Sequence, residues 1–114
     1  MRLRSTLAAA LGGLLLSVAL PASPAAAANG DFTYSYVGLN GLNLRGVLAD
    51  PDSSVCINIP ETVGSALPAL APSNFTDSTA TVFLDSDCDG DTFYVMAPGK
   101  RLGERLRLRS VVFS

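Results

Sequence analysis

The sequence contains no histidine and no tryptophan, and only two of its 114 residues are cysteine. Without histidine there is no imidazole base, no Ser-His-Asp or Cys-His arrangement, and no usual partner for two cysteines around zinc. Carboxylates crowd together only in one acidic turn, residues 85–91 (DSDCDGD), where no apolar wall stands by to raise a pKa for acid work. The composition therefore argues against an enzyme. Phe32, Tyr34, Tyr36, Phe83, Phe93, Tyr94 and Phe113 are expected to pack a core and its hairpins rather than to line a ligand box. Long apolar runs are scarce too: one uncharged, mostly apolar stretch of 14 residues, 7–20, is too short to be a good membrane span.

That stretch follows Arg2 and Arg4 and precedes small residues in which Ala26 and Ala28 frame an A-x-A site. Residues 1–28 thus have the form of a cleaved secretory signal peptide. No cysteine lies near the site to carry a lipid, and Arg2 and Arg4 are not adjacent as twin-arginine export requires. The protein is expected to be secreted, with no membrane anchor after cleavage. Residues 29–114 then form one small domain of 86 residues with six basic and ten acidic side chains, net charge −4. A domain of that size has a thin core and benefits from a staple. Cys56 and Cys88 supply one: an oxidising destination and a single available pairing predict a disulfide. Linking residues 32 apart should contribute roughly 3–4 kcal/mol in the chain-entropy model.

Strand signals dominate the rest. Residues 79–84 are rich in β-branched and aromatic types, the acidic turn follows, and a strand resumes over 91–96. Ala97-Pro98-Gly99 marks a turn. Arg105, Leu106, Arg107, Leu108 and Arg109 alternate strictly, as a strand with one wet face does, and 110–113 extends it. Nearer the start, residues 31–37 alternate with Phe32, Tyr34 and Tyr36 on one side. Leu42, Leu44 and Val47 continue as a second strand, 49–54 turn, and 55–59 form a short strand. Pro60, Pro68 and Pro72 make 60–73 read as a linker with no long helix. Asn74-Phe75-Thr76 has a glycosylation pattern and reads as a surface turn.

Phe83, six intervening residues and then Gly90, and Ser110 before Val111-Val112-Phe113 resemble a βγ-crystallin Greek-key motif, with an aromatic, a glycine at a folded hairpin and a serine that fastens it. Tyr34 and Gly41 repeat the first spacing. The resemblance is to small exported actinobacterial βγ-crystallin-like proteins. It implies an all-β, small Greek-key β-sandwich, with a first half at 31–59 and a second at 79–113. Across that group it implies calcium-binding stress proteins, metalloproteinase inhibitors and killer-toxin-like proteins.

Calcium is the one cofactor the residues suggest. Asp85, Asp87, Asp89 and Gly90 copy positions 1, 3, 5 and 6 of an EF-hand loop, with Asp91 at 7, but Met96 stands where the bidentate Glu belongs. The crystallin-type calcium signature is matched by Asp50, Ser53 and Ser54 in the first half, with Ala49 at its first acidic position. The second half has no acid among residues 105–110. Lys100, Arg101, Arg105, Arg107 and Arg109 form a basic ribbon, expected to be a solvated strand face; net acidity and the lack of interleaved aromatics argue against nucleic acid. These features predict a monomeric, non-catalytic binding module for an unknown extracellular protein or ligand. Two alternatives are a protease inhibitor offering a turn such as 97–103, and a calcium-stabilised structural protein.

Overall fold

The computed structural model describes residues 26–114. The expected leader lies outside them except for its last three residues. Of these, Ala27 bridges to Asp52, and the buried Ala28 donates its N–H to the Pro51 carbonyl at 2.8 Å.

Eight strands follow: β1 (Gly30–Val37), β2 (Asn43–Ala49), β3 (Cys56–Asn58), β4 (Ala69–Thr76), β5 (Ala80–Phe83), β6 (Phe93–Met96), β7 (Arg107–Leu108) and β8 (Ser110–Phe113). Two single 3-10 turns, Pro60–Thr62 and Ser86–Cys88, are the only helical pieces among the described residues. The described residues are all-β, as the alternating runs predict. They form two four-stranded antiparallel sheets, the first ordered β2-β1-β4-β7 and the second β3-β8-β5-β6. Each half of the chain lends its third strand to the other half's sheet: β3 pairs with β8, and β7 pairs with β4.

Alternation decides what is buried. Phe32 and Tyr34 of β1, Ala80 and Val82 of β5, Met96, Leu108, and Val111 and Phe113 of β8 form one core with Ile59 and Ala69. Phe32 meets Phe113 edge-to-face, ring centres 5.4 Å apart, joining the two sheets through one aromatic contact.

Three expectations need correction. Residues 69–73 are not linker but the start of β4, which runs the length of β1. The prolines are misleading because Pro72 sits at a bulge: Ala71 and Pro72 both face the gap opposite Tyr34, where the register shifts between Thr33 and Ser35. A bulge leaves a residue unpaired, so proline's missing N–H costs the ladder nothing there. Ala71 takes the left-handed conformation, φ 52°, to make the bend. Second, 105–113 is not one strand. The chain passes from the first sheet to the second at Arg109, between β7 and β8. Third, Asn74 is no surface turn. It is fully buried in β4; its Nδ2 donates to the carbonyls of Ser78 (2.8 Å) and Met96 (2.9 Å), and its Oδ1 accepts from the N–H and hydroxyl of Thr76.

Candidate functional site

Cys56 and Cys88 are bonded, with their Cα atoms 5.9 Å apart. The bridge anchors the acidic turn to β3. Two further contacts hold the same turn. The Asp87 N–H donates to Asn58 Oδ1 at 2.7 Å, and Asn58 Nδ2 donates back to Asp87 Oδ1 at 2.9 Å. The buried Ser110 hydroxyl donates to the Asp85 carbonyl and accepts the Cys88 N–H at 2.8 Å, so this serine fastens the folded hairpin. Gly90 takes φ +87°, and a Cβ there would run into the Asp85 carboxylate. The aromatic–glycine–serine spacing therefore has a mechanical content in the second half.

The carboxylates expected to serve calcium do not gather at one point. Asp50 Oδ1 accepts from the Gly30 N–H at 2.8 Å, Asp87 is taken by Asn58, and the Asp85 carboxylate packs against Gly90. Asp89 and Asp91 are exposed, and Ser53 donates its N–H to the Ala26 carbonyl. Among the described residues, no three of His, Cys, Asp and Glu come together in a group placed to hold a metal.

The basic ribbon is divided as well. The Arg109 guanidinium donates to the carbonyls of Thr62, Ser65 and Ala66, fixing the loop after the first 3-10 turn, so it is structural rather than solvated. Arg101 lies over the Phe75 ring at 5.3 Å, a cation–π contact. Arg105 and Arg107 remain exposed on the β7 side, as expected of a wet face.

What the sequence hid is an apolar surface at the end of the first sheet. A hollow of about 510 Å³ is walled by Tyr36, Val37, Leu39, Leu44 and Leu67, with Glu61 and Ser65 on its polar side. A second, of about 370 Å³, lies among Val37, Ala66, Leu67, Pro68 and Leu70, and Arg107 borders it. The two share Val37 and Leu67, so they are neighbouring bays of one surface. The walls are exposed as well as apolar: Leu39 is wholly exposed, Leu67 half exposed and Leu44 nearly so. Several exposed leucines gathered on one rim mark an interaction surface more than scattered ones do.

Tyr34 props up this surface from beneath. Its ring is buried over Gly46, where a side chain would collide with it, and its hydroxyl donates to Glu61 Oε1 at 2.6 Å. Burial first, then the bond to Glu61 and its negative charge, push the Tyr34 phenol well above its ordinary pKa. It stays a donor at physiological pH and holds Glu61 at the polar edge of the first bay. Sequence reasoning could not reach this pair: 27 residues separate its members, and Glu61 sits in what reads as linker. No family model, curated protein or solved structure significantly matches the chain.

Proposed function

We propose that the protein is a secreted, non-catalytic binding module that takes an apolar segment of another extracellular protein across the two bays at the end of its first sheet. The observation that carries this reading is the shared apolar wall of Val37 and Leu67, with Glu61 at one end of the surface and Arg107 at the other. Apolar walls supply area, and the opposite charges at the two ends fix direction. The preferred segment is one with bulky apolar side chains beside a basic residue, which meets Glu61. The disulfide fits an oxidising compartment, and among the described residues no helix is long and apolar enough to cross a membrane. The exchange of third strands between the two sheets, together with the Ser110 latch, supports a paired Greek-key arrangement of the βγ-crystallin kind.

The test is selection of displayed peptides against the oxidised protein, repeated with Leu39→Lys and Leu67→Lys. Both side chains are exposed, so folding should be retained. Peptides carrying an apolar pair next to Lys or Arg are expected, losing at least tenfold in affinity to either variant. Peptides that bind the variants equally well would overturn the reading, and so would a selection that yields none.

One observation favours a second reading, a protease inhibitor. The exposed loop carrying Lys100 and Arg101 is held from behind by backbone bonds: Gly99 N–H to the Asn74 carbonyl (2.6 Å), Asn74 N–H to the Lys100 carbonyl (2.9 Å) and Leu102 N–H to the Pro72 carbonyl (3.0 Å). A rigid loop with a basic residue suits a protease that cleaves after Lys or Arg. Such a protease, mixed with the protein at equal concentration, should be slowed; an unchanged rate removes this reading. No observation favours the calcium-stabilised alternative in the same way, since Asp50 and Asp87 already have other tasks.

A further inference from the structure

The second sheet ends in an open edge at β6, and the backbone parity there can be worked out. Leu84 donates its N–H to the Thr92 carbonyl, which makes Leu84–Thr92 a bonded pair. Thr79 and Ser114 exchange both backbone bonds on the other side of β5. Even-numbered residues of β5 therefore bond to β6 and odd-numbered ones to β8, as an antiparallel ladder alternates. Phe93 and Val95, opposite Phe83 and Thr81, turn their N–H and C=O groups outward. Those four groups find no backbone partner among the described residues.

Natural edges are usually blunted by charge, proline or cover. This one is only four residues long and has Arg105 and Arg107 beside Tyr94, yet it carries neither charge nor proline of its own, and Phe93, Tyr94 and Val95 are each about half exposed. Charge is instead placed at its two ends. Asp85, Asp87, Asp89 and Asp91 precede the strand, and Lys100 and Arg101 follow it. Antiparallel pairing of the strand with itself, centred on Tyr94, sets Phe93 against Val95 of the other copy. All four outward groups are then bonded. It also brings the acidic end of each copy to the basic end of the other, twice, because a twofold interface uses the same patch on both subunits. Parallel pairing would oppose acid to acid and base to base.

From this self-complementarity we infer that β6 pairs antiparallel with β6 of a second copy of the chain, joining two second sheets into one eight-stranded sheet. This departs from the monomer expected from sequence. It does not depend on the apolar bays, which belong to the other sheet. The contact is short, so the dimer is of the weak class, forming at micromolar concentrations or above.

Sedimentation of the secreted, oxidised protein over a concentration series tests the inference. A monomer–dimer equilibrium is expected. Val95→Pro should raise the dissociation constant at least tenfold while leaving the melting temperature within a few degrees, because the Val95 N–H points away from β5. Phe93→Lys, on an exposed side chain, is the second probe and should do the same. Asp91→Lys and Lys100→Asp should each weaken association, and the double exchange should restore it. A protein monomeric at all concentrations up to millimolar overturns the inference. So does a dimer indifferent to both edge variants, or a double exchange no better than the single ones.

Discussion

In the first sheet, β1, β2 and β4 run for eight, seven and eight residues; in the second, β5, β6 and β8 run for four each. Long ladders bury continuous rows of cross-strand pairs, and a register that long needs little else to hold it. Four-residue strands do not supply that. The second sheet compensates with point fastenings, all of which converge on residues 85–91: the disulfide and Asn58 from β3, and the Ser110 hydroxyl from β8. The tip of the first sheet's hairpin is closed by the backbone bonds between Gly38 and Leu42 and between Gly41 and Gly38. Where pairing is short, covalent and side-chain anchors replace it. The hairpin turn that lacks a covalent anchor is the one beside the apolar bays.

Removing the bridge should therefore have the largest effect, and an uneven one. Cys56→Ala with Cys88→Ala is expected to cost roughly 3–4 kcal/mol, lowering the melting temperature by more than about 10 °C. Amide exchange should show β5 and β6 losing protection before β1 and β2. Equal loss in all four strands would mean that the two sheets open as one unit, and the contrast between them would fail.

Ser110→Ala comes next, at about 1–3 kcal/mol, because it leaves the Cys88 N–H and the Asp85 carbonyl without their partner in a part-buried place. The two hairpin glycines then compare the halves directly. Gly41 has φ +74° with nothing within 4 Å of where a Cβ would stand, so Gly41→Ala should cost only the left-handed conformation, about 1 kcal/mol. Gly90→Ala adds a collision with the Asp85 carboxylate, the free end of an exposed side chain, and should cost more only by the strain of moving it aside. Chemical denaturation of the two variants side by side measures the difference; equal costs would show that the folded hairpin is not held as tightly as its contacts imply.

The anchored half was the more legible from sequence, and for a physical reason. Asp, Gly and Ser at fixed spacings, and two cysteines with one pairing, are local signals, and each corresponds to a contact the fold makes. β4 was not legible because Pro72 is tolerated only at a bulge, and a bulge depends on the strand opposite. The crossing at Arg109 was hidden because alternation continues straight through it. Arg109 reads as wet from its period, yet its partners Thr62, Ser65 and Ala66 are more than 40 residues away. The apolar bays were missed for the same reason: Leu39, Leu44 and Leu67 come from three separate segments and meet only once β1 and β2 are paired. Sequence points to clusters along the chain, and this surface is a cluster across it.

Tyr34 offers a smaller test, confined to the first sheet. Its phenol is held above its ordinary pKa of about 10. A group raised in the folded state contributes stability that is complete below the unfolded pKa and is lost as pH climbs through the folded one. Stability should therefore decline above about pH 10. Tyr34→Phe should flatten that decline and cost about 1 kcal/mol at neutral pH for the lost bond to Glu61. Thermal melts from pH 8 to 11 on both proteins would show it. An unaltered alkaline limb would mean that another group controls it.

The smallest effect is expected at the junction of the two halves. Asp77, in the turn between β4 and β5, accepts the Asn29 backbone N–H at 2.8 Å and its side-chain amide at 3.2 Å. Those bonds, the backbone one foremost, hold the Asp77 carboxyl below its usual value. A depressed carboxyl contributes stability that is present above the unfolded pKa, about 3.9, and disappears as pH falls through the lower folded value. The side chain is exposed, so the gain is modest and screened by salt. Asp77→Asn keeps an acceptor for the Asn29 N–H but removes the titration. Below pH 4 its melting temperature should fall less steeply than that of the unaltered protein, with near-equal values at pH 7. If the two acid limbs coincide, the tie between Asn29 and Asp77 contributes nothing to joining the long-laddered sheet to the anchored one, and the junction depends on the Phe32–Phe113 contact and the exchanged strands.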